Sequence, residues 1–212
     1  MADYAYNFDR RQCGEVGINY NLVHSIEDIS AGSGEIVEPV TLAEMKAYLR
    51  LEGWDNSGEF DFDDALILSM ITDARIFCEK KTGCSLIPKT IAAYITNGLG
   101  MLSLPAGPVT GTVSIVNEAE VVVDPLTIKL FGTHFPQLKA PIGNLKVATY
   151  TAGYSGIDES GGANPIPEGL RNAIKAHVAE NYEHRGDEQD TQPVFKMAAM
   201  LCKPYIKYSA WG

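Results

Sequence analysis

The chain has 212 residues, of which 45% are hydrophobic and 21% are charged. This length and composition support one hydrophobic core, or one core with a smaller satellite, and exclude a disordered chain. The longest apolar runs, at 65–71 and 121–123, are far shorter than the roughly 20 residues that span a bilayer, so we expect no membrane segment. Residues 1–11 lack the apolar stretch of a secretory signal, and we therefore expect folding in a cytoplasm.

The net charge of −10 argues against a protein that reads a nucleic-acid sequence. Such proteins carry a basic surface that neutralises phosphates, whereas an acidic surface lets DNA pass without adhering. The cysteines form no C-x-x-C pair, which argues against a zinc ribbon or a redox dithiol. They are Cys13, Cys78, Cys84 and Cys202. We expect them to be reduced and partly buried.

Residues 1–38 show no sustained hydrophobic period and end in a loop rich in glycine and serine. We predict an extended N-terminal arm there, with a strand near residues 16–23. Such an arm lies either on a neighbouring subunit or on the protein's own surface, and the sequence leaves both possibilities open.

A capping box predicts the first helix. Thr41 and Glu44 have the spacing of the box, and Val40 and Met45 are placed to form a hydrophobic staple. We predict a helix over about residues 41–51, which Gly53 ends.

The second helix has the clearest pattern of the chain and is predicted over about residues 62–82. Its apolar residues recur at helical spacing. They are Ile67, Met70, Ile71, Ala74 and Cys78. The polar residues Ser69, Asp73, Arg75 and Lys80 fall on other faces. Aspartates in the first turn suit the helix dipole, and Gly83 supplies the stop.

Between residues 85 and 154 the pattern changes to short strands separated by proline and glycine, which predicts an inserted antiparallel β subdomain. The predicted strands are 91–96, 101–104, 112–116, 120–123, 128–131 and 145–151.

Helical spacing returns after this region and predicts helices over about residues 166–185 and 193–203. Pro167 suits the first turn of one, and Pro204 ends the other. The predicted fold class is therefore α+β, with a mainly helical frame of about four helices. A small antiparallel β subdomain is inserted into it, and the N- and C-terminal segments are extended. The predicted division is an arm at 1–38, a main domain at 39–206 and a tail at 204–212.

Three features could carry chemistry, and each has a simpler explanation. His177, Glu180 and His184 have helical spacing at which a metal could be chelated. One packed and one solvated histidine explain it better, since the sequence offers no obvious third or fourth ligand. The aspartates within 61–64 lack the glycine and the late glutamate of a calcium loop, so helix capping explains them better. Residues 153–156 resemble a nucleophile elbow without its full motif.

The sequence contains no phosphate-binding loop, no dinucleotide fingerprint and no Cys/His nucleophile pattern. We therefore predict no catalytic residue, no cofactor and no bound metal. These absences favour a structural protein over an enzyme.

Several short motifs, taken together, resemble the head-tail connector family of long-tailed bacteriophages, also called adaptor or head-completion proteins. The helix of residues 40–50, the acidic loop after it and the helix that begins near residue 63 are similar to the opening of that family. Further landmarks follow in the family's order. They are Leu-Pro-Ala-Gly-Pro at 104–108, Tyr-Thr-Ala-Gly-Tyr at 150–154, Ile-Pro at 166–167 with Leu-Arg-Asn-Ala-Ile at 170–174, and Leu-Cys-Lys-Pro-Tyr at 201–205. The resemblance covers about residues 39–206, while the arm and the long strand region depart from the shortest members.

The resemblance implies a structural role in the virion neck, at the head-tail interface, after assembly in the host cytoplasm. The subunit would form a homo-oligomeric ring of about twelve copies under the portal protein, with a stopper or tail-completion protein on the tail side. Double-stranded DNA would pass through the ring without sequence-specific contact. A subunit of this kind is expected to be monomeric or weakly associated until it reaches the portal.

Similar connectors engage the portal through their C-terminal segment, which implies a portal contact in the tail of this chain. The tail also carries aromatic and apolar residues of the kind that anchor interfaces. The candidate portal-interface residues are Lys203, Tyr205, Ile206, Lys207, Tyr208 and Trp211. The alternative is that these side chains fold back on the same subunit.

Two other functions stay open at the level of the sequence. One is another virion ring protein, such as a tail terminator, which would not bind the portal. The other is a small metal-dependent enzyme with a site around His177 and His184, which would bind stoichiometric metal.

Overall fold

The computed structural model describes residues 22–30, 37–51, 63–96, 101–117, 119–132, 136–139, 145–154, 165–184 and 195–206. These residues belong to two compact units. The sheet unit is drawn from residues 1–34 and 88–153, and the helical unit from residues 35–87 and 154–212. The predicted division into arm, main domain and tail stays a prediction.

The described part of the sheet unit holds two antiparallel sheets. The larger has four strands, which lie in the order β1 (Leu22–Asp28), β2 (Lys89–Thr96), β7 (Leu145–Ala152) and β4 (Val109–Asn117). The smaller has three strands, which lie in the order β3 (Met101–Ser103), β6 (Gln137–Lys139) and β5 (Lys129–Phe131).

Alternation along the strands builds the core of the sheet unit, because successive side chains of a strand point to opposite faces. Ile91 lies opposite Tyr150 and Ala93 opposite Ala148 in the β2–β7 pair, and all four are buried. The Tyr150 hydroxyl donates a hydrogen bond to the carbonyl of Pro105. Burial raises the pKa of this phenol above its ordinary value, which further favours the protonated form that donates the bond.

Two strand predictions need correction. Residues 120–123 form no strand: Val122 only bridges to Val116, and Asp124 then caps a 3-10 turn at Pro125–Thr127. Strand β6 was not predicted, since its single apolar residue, Leu138, stands between two polar residues.

The described N-terminal strand, Leu22–Asp28, overlaps the end of the predicted strand and pairs antiparallel with β2. This part of the predicted arm therefore lies on the protein's own sheet. Residues 16–21 fall outside the described residues.

The described part of the helical unit has four α-helices, as predicted. They are α1 (Leu42–Tyr48), α2 (Asp64–Thr82), α3 (Glu168–Glu183) and α4 (Lys196–Cys202). The last helix passes into a 3-10 turn at Lys203–Tyr205, so the chain does not leave helical geometry at Pro204. The α+β class, with an antiparallel insertion in a helical frame, is confirmed, while the predicted extended ends lie largely outside the described residues.

The predicted caps are present at the start of α1 and at the end of α2, whereas α1 ends at Tyr48, before the predicted stop at Gly53. The Thr41 hydroxyl accepts from the Glu44 backbone N–H at 3.2 Å, and the Glu44 carboxylate accepts from the Thr41 N–H at 3.1 Å. Gly83 ends α2 in the left-handed conformation, with φ of 72°, which glycine adopts without strain.

The apolar face of α2 meets that of α3 to form the core of the helical unit. Its fully buried residues include Ile67, Ile71, Leu170, Ile174 and Val178. Across the described residues, no helix is both long enough and apolar enough to cross a membrane.

Candidate functional site

The predicted portal-contact segment begins at the end of α4. Lys203 is exposed, whereas Tyr205 and Ile206 are half-buried. Lys207, Tyr208 and Trp211 lie outside the described residues. The portal contact of these six residues stays a prediction, and the structure shows only how the segment starts.

Tyr205 packs against its own helical unit. A Cβ atom added at Gly169, in the first turn of α3, would lie 2.8 Å from the Tyr205 hydroxyl oxygen, so the ring occupies the space that glycine leaves open. The carbonyl oxygen of Tyr205 lies 3.9 Å from the Cys84 sulfur, which donates to it. Tyr205, one of the predicted interface residues, therefore anchors the start of the C-terminal tail against α3.

Helix α4 has one buried face and one exposed face. Ala198 and Cys202 are fully buried, whereas Met197 and Met200 are 60% and 61% exposed. None of the predicted portal-interface residues lies on this helix. The sequence does indicate this exposed methionine face, because two methionines three residues apart share one face of a helix.

Buried ion pairs hold the segment that precedes α1 against α2. The Arg75 Nε lies 2.9 Å from Glu38 Oε2, and its Nη1 lies 3.2 Å from Glu79 Oε2. The Thr72 hydroxyl donates to the other Glu38 oxygen at 3.0 Å. Arg75 was expected on an outer face of α2, but it is 6% exposed, because its partner Glu38 comes from a distant part of the sequence.

A second set of contacts fastens the same segment to α3. The Arg171 Nε donates to the Pro39 carbonyl at 3.1 Å, and its guanidinium also pairs with Glu44. Burial alone would raise the pKa of Glu44, but the Thr41 hydrogen bond and the charges of Arg171 and Lys175 lower it. Glu44 therefore remains a carboxylate that holds α1 to α3.

His177 is a packed side chain. Its ring stacks on Phe195 with 3.7 Å between ring centroids. The ring centroid of Phe77, on α2, lies 4.7 Å from that of His177. Its Nδ1 is buried and has no hydrogen-bond partner among the described residues. Burial lowers the pKa of His177, although the Asp73 carboxylate opposes part of the effect. The ring is therefore neutral at pH 7 and joins α2, α3 and the start of α4.

The other candidate sites are also explained by contacts within the protein. His184 is exposed, with its Nδ1 2.9 Å from the Glu180 carbonyl oxygen, so the helical spacing does not gather ligands with His177. No group of three or more potential metal ligands occurs within the part of the chain that the structure describes. Asp63 lies at the N-cap of α2 without a side-chain capping bond and instead accepts from the Tyr182 hydroxyl at 2.7 Å.

The remaining predicted positions are accounted for as follows. The described cysteines at 78, 84 and 202 are free thiols and buried, and the Cys202 hydrogen bond and burial raise the pKa of Cys78. Cys13, Asp61 and Ser155 of the nucleophile-elbow motif lie outside the described residues.

No protein-family model matches this chain, and no curated protein matches it. Solved structures of phage-like particles do contain the same fold. A chain in the virion of a native gene transfer agent particle has a TM-score of 0.63 and 23% identity, and the match covers 88% of this chain and 97% of that chain.

Two structures of the neck of such particles agree with that match. A chain in the neck of an empty gene transfer agent particle, computed with C6 symmetry, has a TM-score of 0.63 and 24% identity. A chain in the neck of a native particle, computed with C12 symmetry, has a TM-score of 0.60 and 23% identity. Both matches cover 88% of this chain and 97% of the other. At this level of identity the likeness establishes a common fold.

Proposed function

We propose that this chain is a structural subunit of the neck of a tailed bacteriophage or phage-like particle and acts without catalysis. The observation that carries the proposal is the fold shared with gene transfer agent neck chains over 88% of this chain. The resemblance of residues 39–206 to head-tail connectors rests on sequence motifs alone and leads to the same class.

The finer proposal is a ring of about twelve copies that connects the portal protein to a stopper or tail-completion protein. The C12 symmetry used for one matching neck supports this number of copies. With a net charge of −10 per copy, such a ring carries on the order of a hundred negative charges, which disfavour adhesion of the passing double-stranded DNA.

The geometry of the tail supports a portal contact beyond Tyr205. Because Tyr205 is seated against Gly169, the residues after it start from a fixed point on α3. Lys207, Tyr208 and Trp211 then follow within six residues of Tyr205. Tyrosine and tryptophan are the residue types that most often dominate interface energy.

Cosedimentation with purified portal assemblies tests the proposal. The full-length chain is compared with a chain truncated after Ile206, which keeps Tyr205 in place and removes only the outer tail. A matched control is Leu126→Ser, since Leu126 is 89% exposed in the sheet unit and lies far from the tail in sequence. We expect full-length and control chains to sediment with the portal, and the truncated chain to lose at least about ten-fold in affinity, or about 1.4 kcal/mol.

Each result decides a part of the proposal. Equal binding of the truncated chain would place the portal contact elsewhere and refute the role of the outer tail. No binding by any version would refute the portal connection and favour another ring, such as a tail terminator, whose partner is the tail tube.

A further inference from the structure

The outer face of α4 is an apolar surface on a very short helix. Met197 and Met200 lie three residues apart and are each about 60% exposed. Their face points away from the core, because Ala198 and Cys202 on the other side are fully buried. Exposed methionine pairs are adaptable contact surfaces, since the thioether chain is flexible and polarisable.

Exposed lysines lie at the two ends of α4. They are Lys196 and Lys203, and a third exposed lysine, Lys81, lies in the last turn of α2. The Lys81 ammonium lies 5.6 Å from the Phe77 ring centre, and Phe77 in turn contacts Phe195 at the start of α4. Residues 195–206 contain two lysines and no acidic residue. In a chain of net charge −10, this is a local basic surface that favours an acidic, apolar partner.

A segment of this same chain has that chemistry. Residues 52–62 read Glu-Gly-Trp-Asp-Asn-Ser-Gly-Glu-Phe-Asp-Phe, with four acidic residues, three aromatic residues and no lysine or arginine. The segment lies outside the described residues, between the end of α1 and the start of α2. Its aromatic side chains would pack on methionines while its carboxylates face the lysines.

The α4 of the same copy is out of reach for the phenylalanines of this segment. Asp63 is fixed by the Tyr182 hydroxyl at 2.7 Å, and Phe60 and Phe62 lie within three residues of it, a reach of roughly 10 Å. Phe77, where α4 touches α2, lies 14 residues further along α2, or about 21 Å. The methionines also face away from α2, so a second copy supplies the better occupant.

We infer that residues 52–62 of one copy dock on the methionine face of α4 in the next copy. The contact is heterologous, since two different surfaces of the same chain meet, and such contacts close into rings when the rotation per subunit fits. The inference rests on the proposed ring, and it assigns the chemistry of the copy-to-copy contact.

A peptide titration tests the contact without requiring a ring. A fluorescein-labelled peptide with the sequence of residues 51–63 is titrated with the full-length chain, and binding is followed by fluorescence anisotropy. We expect saturable binding with a dissociation constant on the order of 10–100 μM. The double variant Met197→Ser/Met200→Ser should weaken it at least about ten-fold, and Leu126→Ser should leave it unchanged. A peptide with serine in place of Trp54, Phe60 and Phe62 keeps every charge and should not bind.

Absence of binding to the wild-type chain would overturn the inference, as would equal binding to the methionine double variant. Coverage of α4 by another part of the same copy would also appear as absence of binding. The portal cosedimentation keeps the two proposals separate. Portal binding without peptide binding refutes the contact and leaves the proposed function standing, whereas peptide binding without portal binding refutes the portal role and leaves the contact standing.

Discussion

Replacing Arg75 by methionine tests how far the buried ion pairs hold the helical unit together. Arg75 is 6% exposed and pairs with both Glu38 and Glu79. Removing one partner of a buried pair costs about 3–5 kcal/mol, because the remaining charge is left uncompensated. Both carboxylates keep at least one hydrogen bond, Glu38 from Thr72 and Glu79 from the Leu86 backbone N–H. We therefore expect the lower end, a loss of about 3 kcal/mol in the free energy of unfolding.

Urea denaturation at pH 7, followed by far-UV circular dichroism, measures this loss. The matched control is Arg75→Met combined with Glu38→Gln, which removes one of the two uncompensated charges and should be less destabilised than the sum of the two single variants. A loss below about 1 kcal/mol for Arg75→Met would refute the reasoning, because exposed ion pairs contribute that little.

Three further predictions concern the same unit. Thr41→Ala should lower the free energy of unfolding by about 1 kcal/mol in urea denaturation, because the capping bond of α1 is lost, and Thr41→Ser should restore most of it. His177 has a lowered pKa in the folded state, so stability should be full above its ordinary value of 6.5 and fall as the pH drops below that value. His177→Phe should abolish this fall in pH-dependent thermal unfolding and His184→Gln should not. Gly169→Ala should displace the Tyr205 ring and so lower the free energy of unfolding. This loss should disappear in a Tyr205→Ala background, which a double-mutant cycle would detect.

The helices could be predicted because their signals are local. The capping box at Thr41, the glycine at 83 and the spacing along α2 all act within one or two turns. The burial of Arg75 could not be predicted, since its partner Glu38 lies 37 residues away. A polar residue off the apolar face is normally solvated, and only the tertiary structure shows the carboxylate that changes this.

The candidate site was predicted only in part. The C-terminal segment was identified from its aromatic residues, but the seat of Tyr205 depends on a glycine in another helix, which no pattern in the tail reveals. Met197 lies within the helix predicted over residues 193–203, yet its side chain is exposed. A seven-residue helix has about two turns, and only the side that meets α3 and α2 can be buried.

The proposed ring requires a rigid helical unit. In a ring of about twelve copies each subunit must turn the next by about 30°, and small errors in that angle add up around the ring. Arg171 ties α1 to α3 through Glu44 and Pro39, while His177 and Tyr205 tie the two ends of α4 to α3. The docking face on α4 and the start of the docking segment at Asp63 thus belong to one cross-linked unit. If that contact forms the ring, its angle is set by the helical unit alone, and the sheet unit can differ between related proteins without changing the number of copies.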